Sequence, residues 1–265
     1  MKPYYEDARR AIRLYHGECR KVLESLALAP GSVAGVVTDP PYSSGGLMRS
    51  DRNRAGVDKY VLNGTELERP DYSGDNRDQR SYLAWAALWL AEIHGVAERG
   101  APLYMFTDWR QLPVNSDAIQ AGGWIWRGII PWDKTEAARP QKGWFRAQCE
   151  YVLTATNGTM GLEQDRAGTC SPGIWREYVG GGKKHHVVGK PLGLMMELVG
   201  KARPGGLVVD LFAGGGTTLV AAARMGYPVI GIEIEEAHCE VTAKRLTGEE
   251  ATAMGGMFKP ELAAA

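Results

Sequence analysis

Long apolar runs, paired cysteines and net charge are all scarce in this 265-residue chain. The longest apolar stretch, Leu83 to Ala91, is too short to cross a bilayer and has polar flanks. The first residues, Met1 to Asp7, lack the apolar core of a signal peptide. The four cysteines, Cys19, Cys149, Cys170 and Cys239, include no C-x-x-C pair, which argues against a zinc ribbon or a redox dithiol. A reduced, cytoplasmic setting is the simplest expectation, with no membrane partner. The 31 basic and 31 acidic residues cancel, so the sum does not advertise a nucleic-acid binder. The distribution does not cancel: Arg166 to Lys190 carries net +4 and Gly226 to Glu250 net −4. Either segment could equally be a solvated, charged face.

With 44% hydrophobic residues the chain can bury a sizeable core. Its apolar periods alternate between strand and helix, which predicts an α/β sheet. Strands are expected at 12–15, 33–38, 103–106, 124–131, 151–155, 207–212 and 229–232. Helices are expected at 20–27, 81–98, 112–120, 191–201, 219–225 and 235–246. In the helix from Ser81, the residues Leu83, Trp85, Ala87, Leu88, Ala91 and Ile93 are expected to form the apolar side. The chain reads as one domain over 1–265, with 45–80 as an inserted loop and 157–185 as a small recognition element or linker.

Asp39-Pro40-Pro41-Tyr42 follows the apolar strand Val33 to Thr38. Asp39 can accept a hydrogen bond from an amino group. Pro40 has no N–H and a fixed φ, which stiffens the turn and aims nearby carbonyls. Tyr42 can stack on a planar ring. A strand end with a proline turn and a core tyrosine is the plainer alternative.

Asp210-Leu211-Phe212-Ala213-Gly214-Gly215-Gly216-Thr217-Thr218 is a strand, a glycine turn and a helix start. Such a turn lets a ligand approach the backbone, and helix N–H groups favour an anion. Glu233 ends the next strand, where an acid can hold ribose hydroxyls. Glycine turns also occur without ligands. An NAD fingerprint would need glycine where Leu219 stands. Asp210 could instead receive an ammonium group. A ligand with adenosine, carboxylate and ammonium is S-adenosylmethionine.

These motifs resemble those of the DNA amino-methyltransferases. Asp39-Pro40-Pro41-Tyr42 is similar to their catalytic motif, and Asp210-x-Phe212-x-Gly214-x-Gly216-Thr217-Thr218 to their cofactor motif. The catalytic motif comes first, the permuted order of the β group. His186-x-x-x-Lys190-Pro191-x-x-Leu194-Met195 and Gly17-Glu18-Cys19 resemble two further segments of that group, the latter with Glu for Asp. The resemblance implies a Rossmann-like, seven-stranded, mostly parallel sheet with one antiparallel strand and helices on both faces. It implies methyl transfer from S-adenosylmethionine to N6 of adenine in double-stranded DNA, with N4 of cytosine as the alternative. An inactive partner protein that binds cofactor and DNA is a different-class alternative. Asp39, Pro40, Pro41 and Tyr42 would be catalytic. Asp210, Phe212, Ala213, Gly214, Gly216, Thr217, Thr218, Glu233, Glu18, Cys19 and Lys190 would bind cofactor, with a surface lysine as the other reading of Lys190. Arg176, Lys183, Lys184, Arg139, Lys142 and Arg146 would contact DNA. Trp144 or Phe145 would give a second stacking face, or else pack in the core. His185 and His186 have no third ligand, so no metal is expected. A homodimer and a cognate restriction nuclease are possible partners, and a bacterial or phage-infected cell is the implied setting.

Overall fold

The computed structural model describes residues 1–42, 77–138, 140, 142–160, 170–178 and 189–248. Among these are nine strands and six helices. The strands are β1 (Tyr5–Asp7), β2 (Ile12–His16), β3 (Val33–Thr38), β4 (Pro102–Thr107), β5 (Ile125–Asp133), β6 (Cys149–Thr156), β7 (Trp175–Arg176), β8 (Leu207–Asp210) and β9 (Val229–Glu233). The helices are α1 (Cys19–Leu26), α2 (Gln79–Val96), α3 (Leu112–Ala121), α4 (Leu192–Val199), α5 (Thr217–Met225) and α6 (Glu236–Thr247).

All nine strands form one sheet in the order β1-β2-β9-β8-β3-β4-β6-β5-β7. Strands β2, β9, β8, β3 and β4 are mutually parallel, and β6 runs antiparallel between β4 and β5. That central set is the expected seven strands with one reversed. Two short edge strands extend it: β1, antiparallel to β2, and β7, parallel to β5. The segment after β6 therefore returns to the sheet at Trp175, and β6 is not the last strand before residue 186.

Alternate side chains of the central strands feed two cores. Val36, Val209 and Ile230 face one cluster with α1, α2 and α3; Val37, Val208 and Val229 face another with α4, α5 and α6. All six residues of β3 are buried, as its unbroken apolar run implies. The cap of α2 is Asp78, which accepts the N–H groups of Arg80 and Ser81, so the helix begins two residues before the expected Ser81. The buried face of α2 also differs from expectation. Tyr82, Ala86, Trp89, Leu90 and Ile93 are buried, whereas Leu88 and Ala91 are exposed. The helix is apolar on nearly every side, so its sequence period under-determines the face that packs.

Candidate active site

Strands β3 and β8 are neighbours and parallel, so Asp39 and Asp210 lie on the same carboxyl-end rim. Open α/β sheets bind ligands at that rim. Thr38 Oγ1 joins the two motifs directly, donating to Asp210 Oδ1 at 3.0 Å.

Asp210 is buried and also accepts from Phe212 N–H at 3.1 Å and from Thr218 Oγ1 at 2.5 Å. Burial pushes its carboxyl up to about 7; the Thr218, Phe212 and Thr38 hydrogen bonds oppose that rise, and the charge of Asp39 adds to it. After β8 the chain turns through Gly214 and Gly216, at φ 49° and 75°. A Cβ on Gly216 would lie 2.4 Å from Thr242 Cγ2, so α6 closes on the turn only because this residue is glycine. Helix α5 starts at Thr217, two residues before expectation, and has no side-chain cap. Its first N–H groups are thereby left for an anion.

Glu233 closes β9. Its Oε2 accepts Gly214 N–H at 2.7 Å and its Oε1 accepts Glu235 N–H at 2.8 Å. Burial works to raise this carboxyl, but His238 and the two N–H groups hold it below the usual range. Glu233 lines an open cleft together with Gly17, Glu18, Cys19, Pro41 and Phe212. Glu18 caps α1 through Lys21 N–H at 3.1 Å, and burial pushes the Cys19 thiol well up. Arg77, Trp85 and Ile234 line the same cleft and were not expected there. Trp85 packs edge-on to Phe212 at 5.6 Å, with the Arg77 guanidinium 4.4 Å above its ring. A tryptophan assigned to a helix core gives no sequence signal of lining a cleft.

The catalytic-type motif has a second, denser set of contacts. Tyr42 Oη donates to Asp39 Oδ1 at 2.7 Å. Lys190 Nζ is 2.9 Å from Asp39 Oδ2, 3.0 Å from Glu150 Oε2 and 2.9 Å from Tyr42 Oη. Glu150 Oε1 also pairs with Lys134 at 3.1 Å. The Lys190 side chain is 5% exposed, so it is no surface lysine. Its three N–H groups are committed to the catalytic-type motif and Glu150, rather than to the cofactor carboxylate expected from sequence. Burial would lower the Lys190 ammonium, but Asp39 and Glu150 hold it well above its ordinary range. Burial raises Asp39, with Lys190 pulling it back. Glu150 is held down to about 2 by Lys190 and Lys134 against its burial. Glu150 escaped the sequence reading because it joins the site only through sheet pairing.

Of the expected DNA contacts, Arg176 and Arg146 meet at Glu136. Arg176 on β7 is already held by Glu136 at 2.9 Å and Asp133 at 3.5 Å. Arg146 donates to the carbonyls of Glu136 and Ala138. Lys142 is exposed, beside Trp144 and Phe145, which are 73% and 83% exposed and therefore not core residues. Arg139, Lys183, Lys184, His185 and His186 lie outside the described residues. Among the described residues no His, Cys, Asp and Glu group could hold a metal, and no helix is long and apolar enough to cross a membrane.

A family model described as DNA methylase matches residues 33–245, spanning both motifs. The chain belongs to the N6/N4 DNA methylase family. It is 26% identical over 260 residues to the Escherichia coli (strain K12) protein YubD, covering 95% of this chain and 99% of that one. The solved M1.HpyAVI–SAM complex is 17% identical with TM-score 0.60, covering 88% of this chain and 98% of that one. The PvuII DNA methyltransferase, named as cytosine-N4-specific, is 15% identical with TM-score 0.68, covering 99% and 91%. These likenesses give the fold: the sheet and its two helix layers are those of a DNA methyltransferase.

Proposed function

We propose that the protein transfers a methyl group from S-adenosylmethionine to N6 of an adenine flipped out of double-stranded DNA. The observation that carries this reading is the placement of Asp39 and Tyr42 beside the cleft that Glu233 and Phe212 line, with Pro41 in its wall. The residues fit the cofactor. Asp210 is a buried carboxylate whose hydrogen-bond partners are neutral donors, a setting that suits a ligand ammonium. Glu233 borders the cleft with two oxygens that still have lone pairs for ribose hydroxyls. Phe212 and Trp85 offer apolar faces, and the uncapped start of α5 offers N–H groups to a carboxylate.

When bound, the cofactor supplies an electrophilic methyl on a sulfonium. The chain's part is alignment and electrostatics. The Asp39 side chain is 30% exposed, so a base amine can reach its carboxylate. There it accepts a hydrogen bond and offsets positive charge growing on the amine nitrogen. Tyr42, held by its hydroxyl, presents its ring for stacking on the base. A base inside a duplex cannot reach this rim, so it must leave the stack. Aspartate at the first motif position favours adenine over cytosine by the family pattern. We place DNA reading in the 45–80 and 157–185 segments of a single domain.

The test is to incubate protein, unmethylated DNA of varied sequence and cofactor, digest to nucleosides and identify them by mass. N6-methyladenine is expected. N4-methylcytosine would replace the base assignment, and the absence of both products would overturn the reading.

A further inference from the structure

The cluster around Lys190 contains more charge than the proposed transfer uses. Asp39 and Lys190 form an ion pair that sums to zero. A neutral pair is poorly suited to offset the positive charge that grows on an amine nitrogen. Glu150, 3.0 Å from Lys190 and 3.4 Å from the Tyr42 hydroxyl, restores a net negative charge to the trio. Lys134, which pairs with the other Glu150 oxygen, has a side chain 28% exposed, so water screens it more. The Lys190 ammonium also faces three aromatic rings, Tyr42, Phe106 and Trp132, at 5.0–5.9 Å, which fix its position and exclude water.

We propose that Lys190 and Glu150 are a coupled pair of positioning residues: Lys190 holds Asp39 as an aimed carboxylate, and Glu150 limits how far Lys190 neutralises it. This rests on the methyl-transfer reading above. Glu150 never touches the base. It acts on Asp39 through Lys190 and through the Tyr42 hydroxyl that all three share.

The coupling makes a signed prediction. Other charged or titratable groups near Asp39 are Asp210 at the end of β8, Asp108 after β4 with its partner Arg110, Lys134 after β5, and Tyr42. None of them is itself changed in either variant, though Glu150→Gln removes the ion-pair partner of Lys134, a cation that acts on Asp39 in the same downward direction. Lys190→Met removes the cation, so burial pushes Asp39 further up. Glu150→Gln removes a repelling anion and leaves Lys190 more fully to Asp39, so Asp39 moves down. The Asp39 carboxyl is read by ¹³C NMR of aspartate-labelled protein without cofactor, assigned from Asp39→Asn. The two variants should shift it in opposite directions, by about one pH unit each. The acid limb of the methylation rate should follow the same signs. The Glu150→Gln plateau kcat should fall, by less than the roughly 100-fold lost with a direct stabilising group, while KM for DNA and cofactor stays close to wild type. Lys190→Arg keeps the cation and should return the acid limb towards wild type, and guards against a Lys190→Met protein that does not fold. Shifts of the same sign, or none, with an active wild type would overturn the pairing and leave the methyl-transfer reading standing. A wild type that methylates no nucleoside would remove that reading, and this inference with it.

Discussion

At the residue scale, Asp210 separates a structural carboxylate from a ligand's partner. Its folded carboxyl holds a proton up to about 7, against an ordinary value of 3.8. Between those values the folded state binds more protons than the unfolded one, so Asp210 lowers stability as pH rises through that window. A ligand ammonium beside Asp210 would pull its carboxyl back down. Cofactor should therefore bind more tightly as pH rises from 5.5 to 7, by about tenfold, as Asp210 ionises. Above that range the ligand's own ammonium, near 7.7–8.0, begins to lose its charge. Calorimetric titrations at the two pH values check this. Asp210→Asn should bind weakly at both and lose the pH dependence; a wild-type affinity flat across the range would rule out Asp210 as the ammonium's partner. Glu233 and Glu150 behave with the opposite sign. Each is held below its ordinary value, so each stabilises the fold above that value and loses its contribution as the pH falls.

At the scale of elements, the β5–β6 hairpin combines a buried base with an exposed tip. Its base carries Glu150 and Lys134 into the cluster around Asp39, and its tip carries Lys142, Trp144 and Phe145. Trp144 and Phe145 lie edge to face at 5.8 Å and are exposed, so little of the core rests on them. Changing both to alanine should leave the melting temperature within about 2 °C of wild type, as for surface sites in a domain of this size. DNA binding should weaken by about 1–3 kcal/mol for each ring that stacks. Fluorescence anisotropy at two salt concentrations reads it, and the salt dependence should be unchanged because no charge is removed. Unaltered affinity would place the DNA elsewhere. The elements also show what was legible from sequence. Strand β3 and the glycine turn were readable because their rules are local: an unbroken apolar run, a proline stop, glycines at positive φ. Strands β1 and β7, three and two residues long, carry no period to read. The face of α2 was misjudged because the helix is apolar nearly all round and only its neighbours choose the buried side. Glu150 was invisible because its partners lie on other elements: Lys134 follows β5, and Lys190 precedes α4.

At the scale of the whole molecule, the sheet order makes chain order unimportant to the site. The catalytic-type motif follows β3 and the cofactor-type motif follows β8, with most of the chain between them, yet the strands are adjacent. The cleft between them is lined from both ends of the sequence, by Gly17 to Cys19 and by Glu233 and Ile234. A ligand seated there ties β2, β3, β8 and β9 together and binds the folded state only. At about 100 times its Kd it should add roughly 2.7 kcal/mol to stability. For a chain of this size that corresponds to a rise of roughly 5–10 °C in melting temperature. Glu233→Gln should lose much of that rise, because its carboxylate faces the cleft and becomes a weaker acceptor for the ligand. The same change removes a charged partner of Gly214 N–H, so its unliganded melting temperature should also drop, and only the ligand-induced difference is diagnostic. Asp39→Ala should keep the full rise and transfer no methyl, since Pro41 lines the cleft and Asp39 does not. A melt with and without S-adenosylmethionine on the three proteins separates the two functions: if Asp39→Ala also loses the shift, the division of the rim into a cofactor half and a base half is wrong.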